Sequence, residues 1–347
     1  MAVITQKSFG TLPDGREALY FVMTNAKKHS VSFTEFGATV VEINVPDRDG
    51  NLNNISMGHN TLEEYVQKDA CFGAICGRVA NRIDNRGFTL NGERYELYSD
   101  ELGVSLHGGL EGFHKKLWKG EAKDGKLSFT YVSPDGEEGY PGELTVTVTY
   151  GWSDNDELEI VYEYSSDKDT LANLTNHTYF NLEGHNAGYI GDHMCKILAS
   201  KYTPLLERLC PDGTLAPVEG TPYDFREFTA IGPNLEAEHP QIAIGGGIDI
   251  NFAPEGEGFR LMASVYDPKS GRAMDCSSDL PGIQLYTANF LKDNRPGRGG
   301  GNYVWRGAFC LETQYYPNAV NTPGFTVPLV KAGENGYTRT MYRFYTV

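Results

Sequence analysis

The sequence predicts an all-β fold, a β-sandwich or barrel, from three observations. Turn-forming clusters rich in Gly, Pro, Asp and Asn recur about every ten residues. Short runs of alternating apolar and polar residues lie between them. Helical periodicity is scarce throughout the chain. In chain order, TVVEINVP alternates β-branched with polar side chains and runs into the turn PDRDGN. TLEEYVQK carries the one helical signature, with Thr61 as N-cap and Glu64 at the third helical position. LNGERY is a turn. KLSFTYV is a strand ahead of the turn-rich SPDGEEGYPGE. LTVTVTYGW and ELEIVYEYS are two long alternating strands separated by SDNDE. PDGT is a further turn. FRLMASVYD runs into DPKSGR, and WRGAFCLETQYY is strand-like up to Pro317. No repeat, low-complexity stretch or composition shift marks a linker, so residues 1–347 are expected to form one large β domain. Residues 292–302 (KDNRPGRGGGN) offer little to bury and are the expected mobile loop.

Composition bounds the function. The chain has 347 residues, 40% hydrophobic and 12% aromatic, ample for a core without staples. With 30 Lys and Arg against 46 Asp and Glu the formal charge is −16. That argues against nucleic acid or an anionic membrane surface as partner and offers little to a phosphorylated sugar; a neutral polar ligand fits best. Six scattered cysteines without a CxxC pair suggest reduced thiols and a cytoplasmic protein. The N-terminal residues lack a secretory-signal pattern, and no apolar run is long enough for a membrane span.

Candidate chemistry lies in strands whose faces are oddly polar. In AFCLETQYY, alternation puts Phe309, Leu311, Thr313 and Tyr315 on one face and Ala308, Cys310, Glu312, Gln314 and Tyr316 on the other. A carboxylate in an otherwise core-like strand is costly unless it faces water or a filled cavity. In LANLTNHTYFNLEG, Asn173, Thr175, His177, Tyr179 and Asn181 share a face. Asp249 shares one with Asn251, and Gln284 with Tyr286. His107 precedes two glycines, where backbone can bend closely round a ligand. Each has a bland alternative. A single strand histidine is more often a hydrogen-bonded structural residue than a catalyst, Asp249 or Arg82 alone reads as a surface charge, and Gln284 or Asn181 as solvated or bonded to backbone. Glu312 is the hardest to dismiss. Metal ligation finds no HxH, HExxH or Cys/His spacing, and His185 and His193 sit in a glycine-rich segment. Phosphate-binding glycine loops and a GxSxG elbow are absent from the sequence.

Taken together, GRVANRI (77–83), LHGG (106–109), NHTYFNLEG (176–184), GGIDINF (246–252), PGIQLYTANF (281–290) and LETQYYPNAVN (311–321) resemble the aldose 1-epimerases, or galactose mutarotases. The resemblance spans most of the chain. It implies a large antiparallel two-sheet β-sandwich with a sugar cleft on one sheet, and interconversion of the α and β anomers of free aldohexoses such as glucose and galactose. It also implies Glu312 as general base on the anomeric hydroxyl, His177 as general acid on the ring oxygen, His107 as a polarising hydrogen-bond partner, and Asn81, Arg82, Asp249 and Gln284 as holders of the hydroxyls. Glutamate at its reference pKa near 4.3 would be ionised at neutral pH. The chemistry calls for no cofactor and no metal, and a monosaccharide is the expected partner of a monomer or weak homodimer. The family commonly has histidine after the aspartate of the fourth block; here Ile250 follows Asp249 and should face away from the sugar. Rival readings are a glycoside hydrolase pairing Glu312 with Asp249, a non-catalytic sugar-binding or regulatory module, and a hexose-phosphate epimerase.

Overall fold

The computed structural model describes residues 2–68, 70–291 and 295–347, the side chain of Arg295 excepted. Its principal sheets are antiparallel. A nine-stranded sheet carries Leu144–Trp152, Glu157–Ser166 and the C-terminal strand Asn335–Thr346 at its centre. A five-stranded sheet holds the first strands of the chain, Val3–Thr11 to Leu52–Asn54. A second contains Asp249–Pro254, Gly282–Tyr286 and Cys310–Gln314 as neighbours. Both five-stranded sheets pack against the large one. Phe33 meets Tyr150 at 4.6 Å between ring centroids, and the Tyr342 hydroxyl donates to Leu311 O at 2.7 Å. One apolar core runs from Ala2 to Phe344 between the layers. This is the expected sandwich.

The strand reading matches closely where water lies on one side. Thr39–Pro46 and Leu144–Trp152 begin and end where alternation begins and ends. Asn91 and Gly92 make the two-residue connection between Gly87–Leu90 and Glu93–Glu96, both with positive φ (52° and 83°), as a type I′ turn requires. Leu62–Gln67 is helical. Thr61 accepts the Glu64 N–H at 3.2 Å, but the reciprocal bond is shifted: Glu64 Oε2 accepts from the Asn60 N–H, not from the cap residue.

Three expectations need correction. The segment 173–181 is not one strand, because only Thr175–Asn176 pairs regularly. Its amides bond to backbone instead: Asn173 donates to Ala80 O and Tyr315 O, and Asn181 to Gly188 O and Gly307 O. Gly108 does not open space for a ligand; a Cβ there would stand 1.9 Å from Gly77 O, so the glycine lets two chain segments touch. Two short helices, Ile231–Leu235 and Pro240–Gly245, escaped the periodicity reading, although Pro240 at the start and left-handed Gly246 at the end of the second are terminal signals. Of the expected mobile loop, residues 292–294 lie outside the described residues. The rest forms a small hairpin in which Arg298 pairs with Glu42 and donates to His59 O at 2.9 Å.

Candidate active site

Three neighbouring strands bring the carboxylates and amides together. Register pairs Gln284 with Glu312 and Asn251 with Gln284, so alternate side chains from Asp249–Pro254, Gly282–Tyr286 and Cys310–Gln314 share a face. The opposite face carries Ile248, Ile250, Ile283, Leu285 and Leu311, all in the main core. Ile250 therefore points away from the site. On the polar face Gln284 Nε2 donates to Asp249 Oδ1 at 2.6 Å, and Gln314 Nε2 donates to Gln284 Oε1 and Asn251 Oδ1, each at 3.1 Å. Asn81 Nδ2 donates to Gln314 Oε1 at 3.3 Å. The ladder is nearly closed on itself. Glu312 breaks it: its side chain is buried, and Oε2 has no hydrogen-bond partner.

Glu312 lines a cavity of about 290 Å3 together with Asn81, Arg82, His107, His177 and Asp249, with Tyr179, Tyr286 and Phe290 among its apolar walls. His177 Nε2 lies 3.7 Å from Glu312 Oε1, and its ring stacks on Tyr179 at 4.9 Å. The other ring nitrogen, Nδ1, is 3.5 Å from Cys310 Sγ. Backbone bonds fix His177 on both sides: it donates to Ala74 O and accepts from the Gly73 N–H, each at 2.9 Å. His107 sits edge-on to His177, ring centroids 5.2 Å apart. Asn81 and His107 both hold left-handed backbone (φ 62° and 51°) and lock together: the Asn81 N–H donates to His107 Nδ1 at 3.2 Å, and the His107 N–H to Asn81 O at 3.0 Å. Arg82 Nη1 stands 3.6 Å from Asp249 Oδ2.

Electrostatics follow from burial. Burial pushes the Glu312 carboxyl up to about 7; Asp249 adds to the rise, while His177 and Arg82 oppose it. The reference-value expectation of a carboxylate fully ionised at neutral pH is thus corrected. Burial, reinforced by His177, His114 and Arg82, holds His107 well below the usual imidazole range, so this ring is neutral. Since its Nδ1 accepts from Asn81, the proton of neutral His107 sits on Nε2. Ligand atoms of His107, His177 and Glu312 lie within 4.8 Å of one another, a cluster that sequence spacing could not reveal. Protonated Nε2 of His107, however, offers a donor and not a lone pair, which suits a hydroxyl better than a metal ion.

The expected residues fall into two groups. Glu312, His177, His107, Asn81, Arg82 and Asp249 line the cavity; Gln284 stands behind Asp249 and orients it. Alternation had already set Tyr179 beside His177 and Cys310 beside Glu312, but gave no reason to single out Phe290, Leu106 or Cys71, which also line the wall.

A buried carboxylate and imidazole 3.7 Å apart in a cavity lined by amide, guanidinium and carboxylate groups make an arrangement able to exchange protons with a small polyhydroxylated ring. The chain belongs to the aldose 1-epimerase family: the family model, described as aldose 1-epimerase, matches residues 20–343. Galactose mutarotase from Rattus norvegicus is 40% identical over 345 residues, 99% of each chain, and that from Homo sapiens 39% over 345, again 99% of each. Aldose 1-epimerase from Escherichia coli (strain K12) is 33% identical over 338 residues, 96% of each. The fold is that of a C. elegans GalM/aldose epimerase homologue, with a TM-score of 0.87 at 24% identity and 100% of both chains covered. Galactose 1-epimerase from Lactobacillus acidophilus gives 0.87 at 23% identity, covering 100% of this chain and 99% of that one.

Proposed function

We propose that this isomerase interconverts the α and β anomers of free aldohexoses, galactose and glucose among them, with Glu312 and His177 as its proton-transfer pair. Glu312 takes the proton from the anomeric hydroxyl as His177 protonates the ring oxygen. The C1–O5 bond breaks to give the aldehyde, the C1–C2 bond rotates, and the two residues exchange roles as the ring closes on the other face of C1. Neutral His107 donates from Nε2 to the sugar. Arg82, Asp249 and Asn81 receive the remaining hydroxyls, with Gln284 holding Asp249 in place. One observation carries this reading: a buried Glu312 oxygen without a partner, in a carboxylate 3.7 Å from His177, inside a cavity of monosaccharide size. In the imidazolium, Nδ1–H would donate to Cys310 Sγ, leaving Nε2–H for the substrate.

The glycosidase alternative requires Asp249 as a second proton-transfer carboxyl. Asp249 instead accepts from Gln284 and faces Arg82, the setting of a fixed acceptor. We also take residues 1–347 as one structural unit around this cavity, a monomer or weak homodimer acting in the cytoplasm; the shared core and the six unbridged cysteines support this.

The test is polarimetric. Added to freshly dissolved α-D-galactose or α-D-glucose, the protein should accelerate the decay of optical rotation. His177→Asn and Glu312→Gln should each lower that acceleration by about 10²–10⁴-fold with the circular-dichroism spectrum unchanged. A wild-type trace that overlays the buffer blank on both sugars would sink the proposal.

A further inference from the structure

One strand reaches the His177 ring at both of its nitrogens. Cys310 and Glu312 stand two residues apart on the same face of Cys310–Gln314. Glu312 Oε1 lies 3.7 Å from Nε2, and Cys310 Sγ lies 3.5 Å from Nδ1. Among the described residues that sulfur is the only hydrogen-bond partner of the ring. Its other neighbours are aromatic: Tyr179 stacks on it at 4.9 Å with 21° between the planes, and Tyr286 meets it edge-on at 6.0 Å. These rings fix the plane of the imidazole but do not decide which nitrogen carries the proton; the partner of Nδ1 does that. Cys310 is fully buried, in a small cluster with Met57, Tyr179, Tyr286 and Ala308. Packing alone explains a small side chain there. It does not explain a sulfur at hydrogen-bond distance from Nδ1.

We propose that Cys310 is a positioning residue for the proton transfer: its sulfur accepts the Nδ1–H of His177 throughout turnover and so keeps Nε2 as the nitrogen that both gives and regains the proton. The inference rests on His177 as the acid of the proposed mutarotase. In ring opening, Nε2 of the imidazolium gives its proton to the ring oxygen as the C1–O5 bond breaks. The neutral ring keeps its hydrogen on Nδ1, against the sulfur, and Nε2 is left with a lone pair. That lone pair must take the proton of the C5 hydroxyl when the sugar closes on the other face of C1. A neutral ring with its hydrogen on Nε2 would present a donor where a base is needed, and the open-chain sugar would wait. Sulfur suits this place because it is a weak, uncharged acceptor. Burial, with Glu312 adding to it, holds the thiol well above its usual range, so Cys310 stays neutral. A carboxylate there would stand two residues from Glu312 on the same face, and like charges so close oppose each other's ionisation.

The test compares the full chain with Cys310→Val, which fills the space without an acceptor, and with Cys310→Ala should the valine fold poorly. Its first readout is independent of activity. In protein labelled with 15N-histidine, with His177→Asn identifying the His177 signals, the neutral His177 ring should carry its hydrogen on Nδ1. In Cys310→Val that hydrogen should move to Nε2 or divide between the two nitrogens. The second readout is kinetic: kcat for D-galactose should fall by about 10–100-fold while KM changes little. Cys310→Ser, which restores an acceptor, should recover part of the rate together with the Nδ1–H form. The idea is overturned if neutral wild-type His177 carries its hydrogen on Nε2, or if a folded Cys310→Val matches wild type in kcat. It is overturned equally if kcat falls while the tautomer stays put, since Cys310 would then serve packing alone. A wild type without mutarotase activity would leave the change in the 15N signals in place, so failure of the enzyme reading is distinguishable from failure of this one.

Discussion

The strands at the centre of the nine-stranded sheet and the strands of the site sheet alternate equally well, yet they treat polar residues in opposite ways. In Leu144–Trp152, Leu144, Val146, Val148, Tyr150 and Trp152 are buried while Thr145, Thr147 and Thr149 are partly exposed to water. In Gly282–Tyr286 and Cys310–Gln314 every position is buried on both faces. Alternation there sorts chemistry instead of exposure: Ile283, Leu285 and Leu311 enter the core, and Gln284, Glu312 and Gln314 form the ladder with Asp249 and Asn251. Water satisfies the first kind of polar face at no structural cost. The second must satisfy itself, and almost all of it does. Two of its atoms do not, Asn251 Nδ2 and Glu312 Oε2, and of these two residues only Glu312 lines the cavity proposed for the substrate.

The largest expected effect tests that contrast directly. Glu312→Gln should remove activity and yet make the protein more stable at neutral and alkaline pH. Burial favours the protonated carboxyl, so the folded pKa, about 7, stands above its ordinary 4.5. Between those values the unfolded chain has lost a proton that the folded one keeps, so stability falls as pH rises through the window. The full cost, up to about 3 kcal/mol, is present above it. Glutamine removes that cost. Melting curves at pH 8 should place the variant above wild type, with the two converging near pH 4. A variant less stable than wild type at pH 8 would mean that Glu312 is held by bonds the structure does not show.

The converse change belongs to the other sheet. Ile160 is fully buried in Glu157–Ser166, and Ile160→Ala should lose about 2–5 kcal/mol in urea unfolding while kcat/KM per folded molecule stays put. Between these extremes lies Gln284. Gln284→Met leaves Asp249 without its 2.6 Å donor and should cost about 1–3 kcal/mol of sugar binding. That loss should read out in KM more than in kcat. A change confined to kcat would place Gln284 in the proton transfer itself.

Acid–base behaviour sharpens the site further. If Glu312 is the base of the proposed mechanism it acts ionised, and kcat/KM should fall as pH drops through about 7. Asp249 is one of the charges that raise this carboxyl, so Asp249→Asn should move the limb to lower pH whatever it does to the plateau. An unmoved limb would assign the ionisation to another group.

How much of this was legible in the sequence depends on whether neighbours in the chain or neighbours in space decide the outcome. Thr61 capping its helix, the turn at Asn91–Gly92 and the period of LTVTVTYGW are local, and each was readable. Of the polar run from Asn173 to Asn181, His177 and Tyr179 do line the cavity, but the run is not one strand, and Asn173 and Asn181 turn their amides to backbone carbonyls in segments as distant as Ala80 and Gly307. The raised Glu312 carboxyl, the tautomer of His107 and the place of Gln284 behind Asp249 are all set by contacts across the fold. The motifs brought forward residues that the fold gathers around one cavity; only packing supplied their protonation and order.

The smallest effect completes the comparison. Thr147 in the nine-stranded sheet and Gln284 in the site sheet both sit on the polar face of an alternating strand. Thr147 Oγ1 meets only Thr130 Oγ1 at 3.0 Å, at a surface where water can replace either hydroxyl. Thr147→Ala should therefore change stability by no more than about 0.5 kcal/mol and leave KM alone. If it proved as costly as Gln284→Met, partly exposed and buried polar faces would be equivalent in this protein, and the unpartnered oxygen of Glu312 would lose its meaning as a signpost to the site.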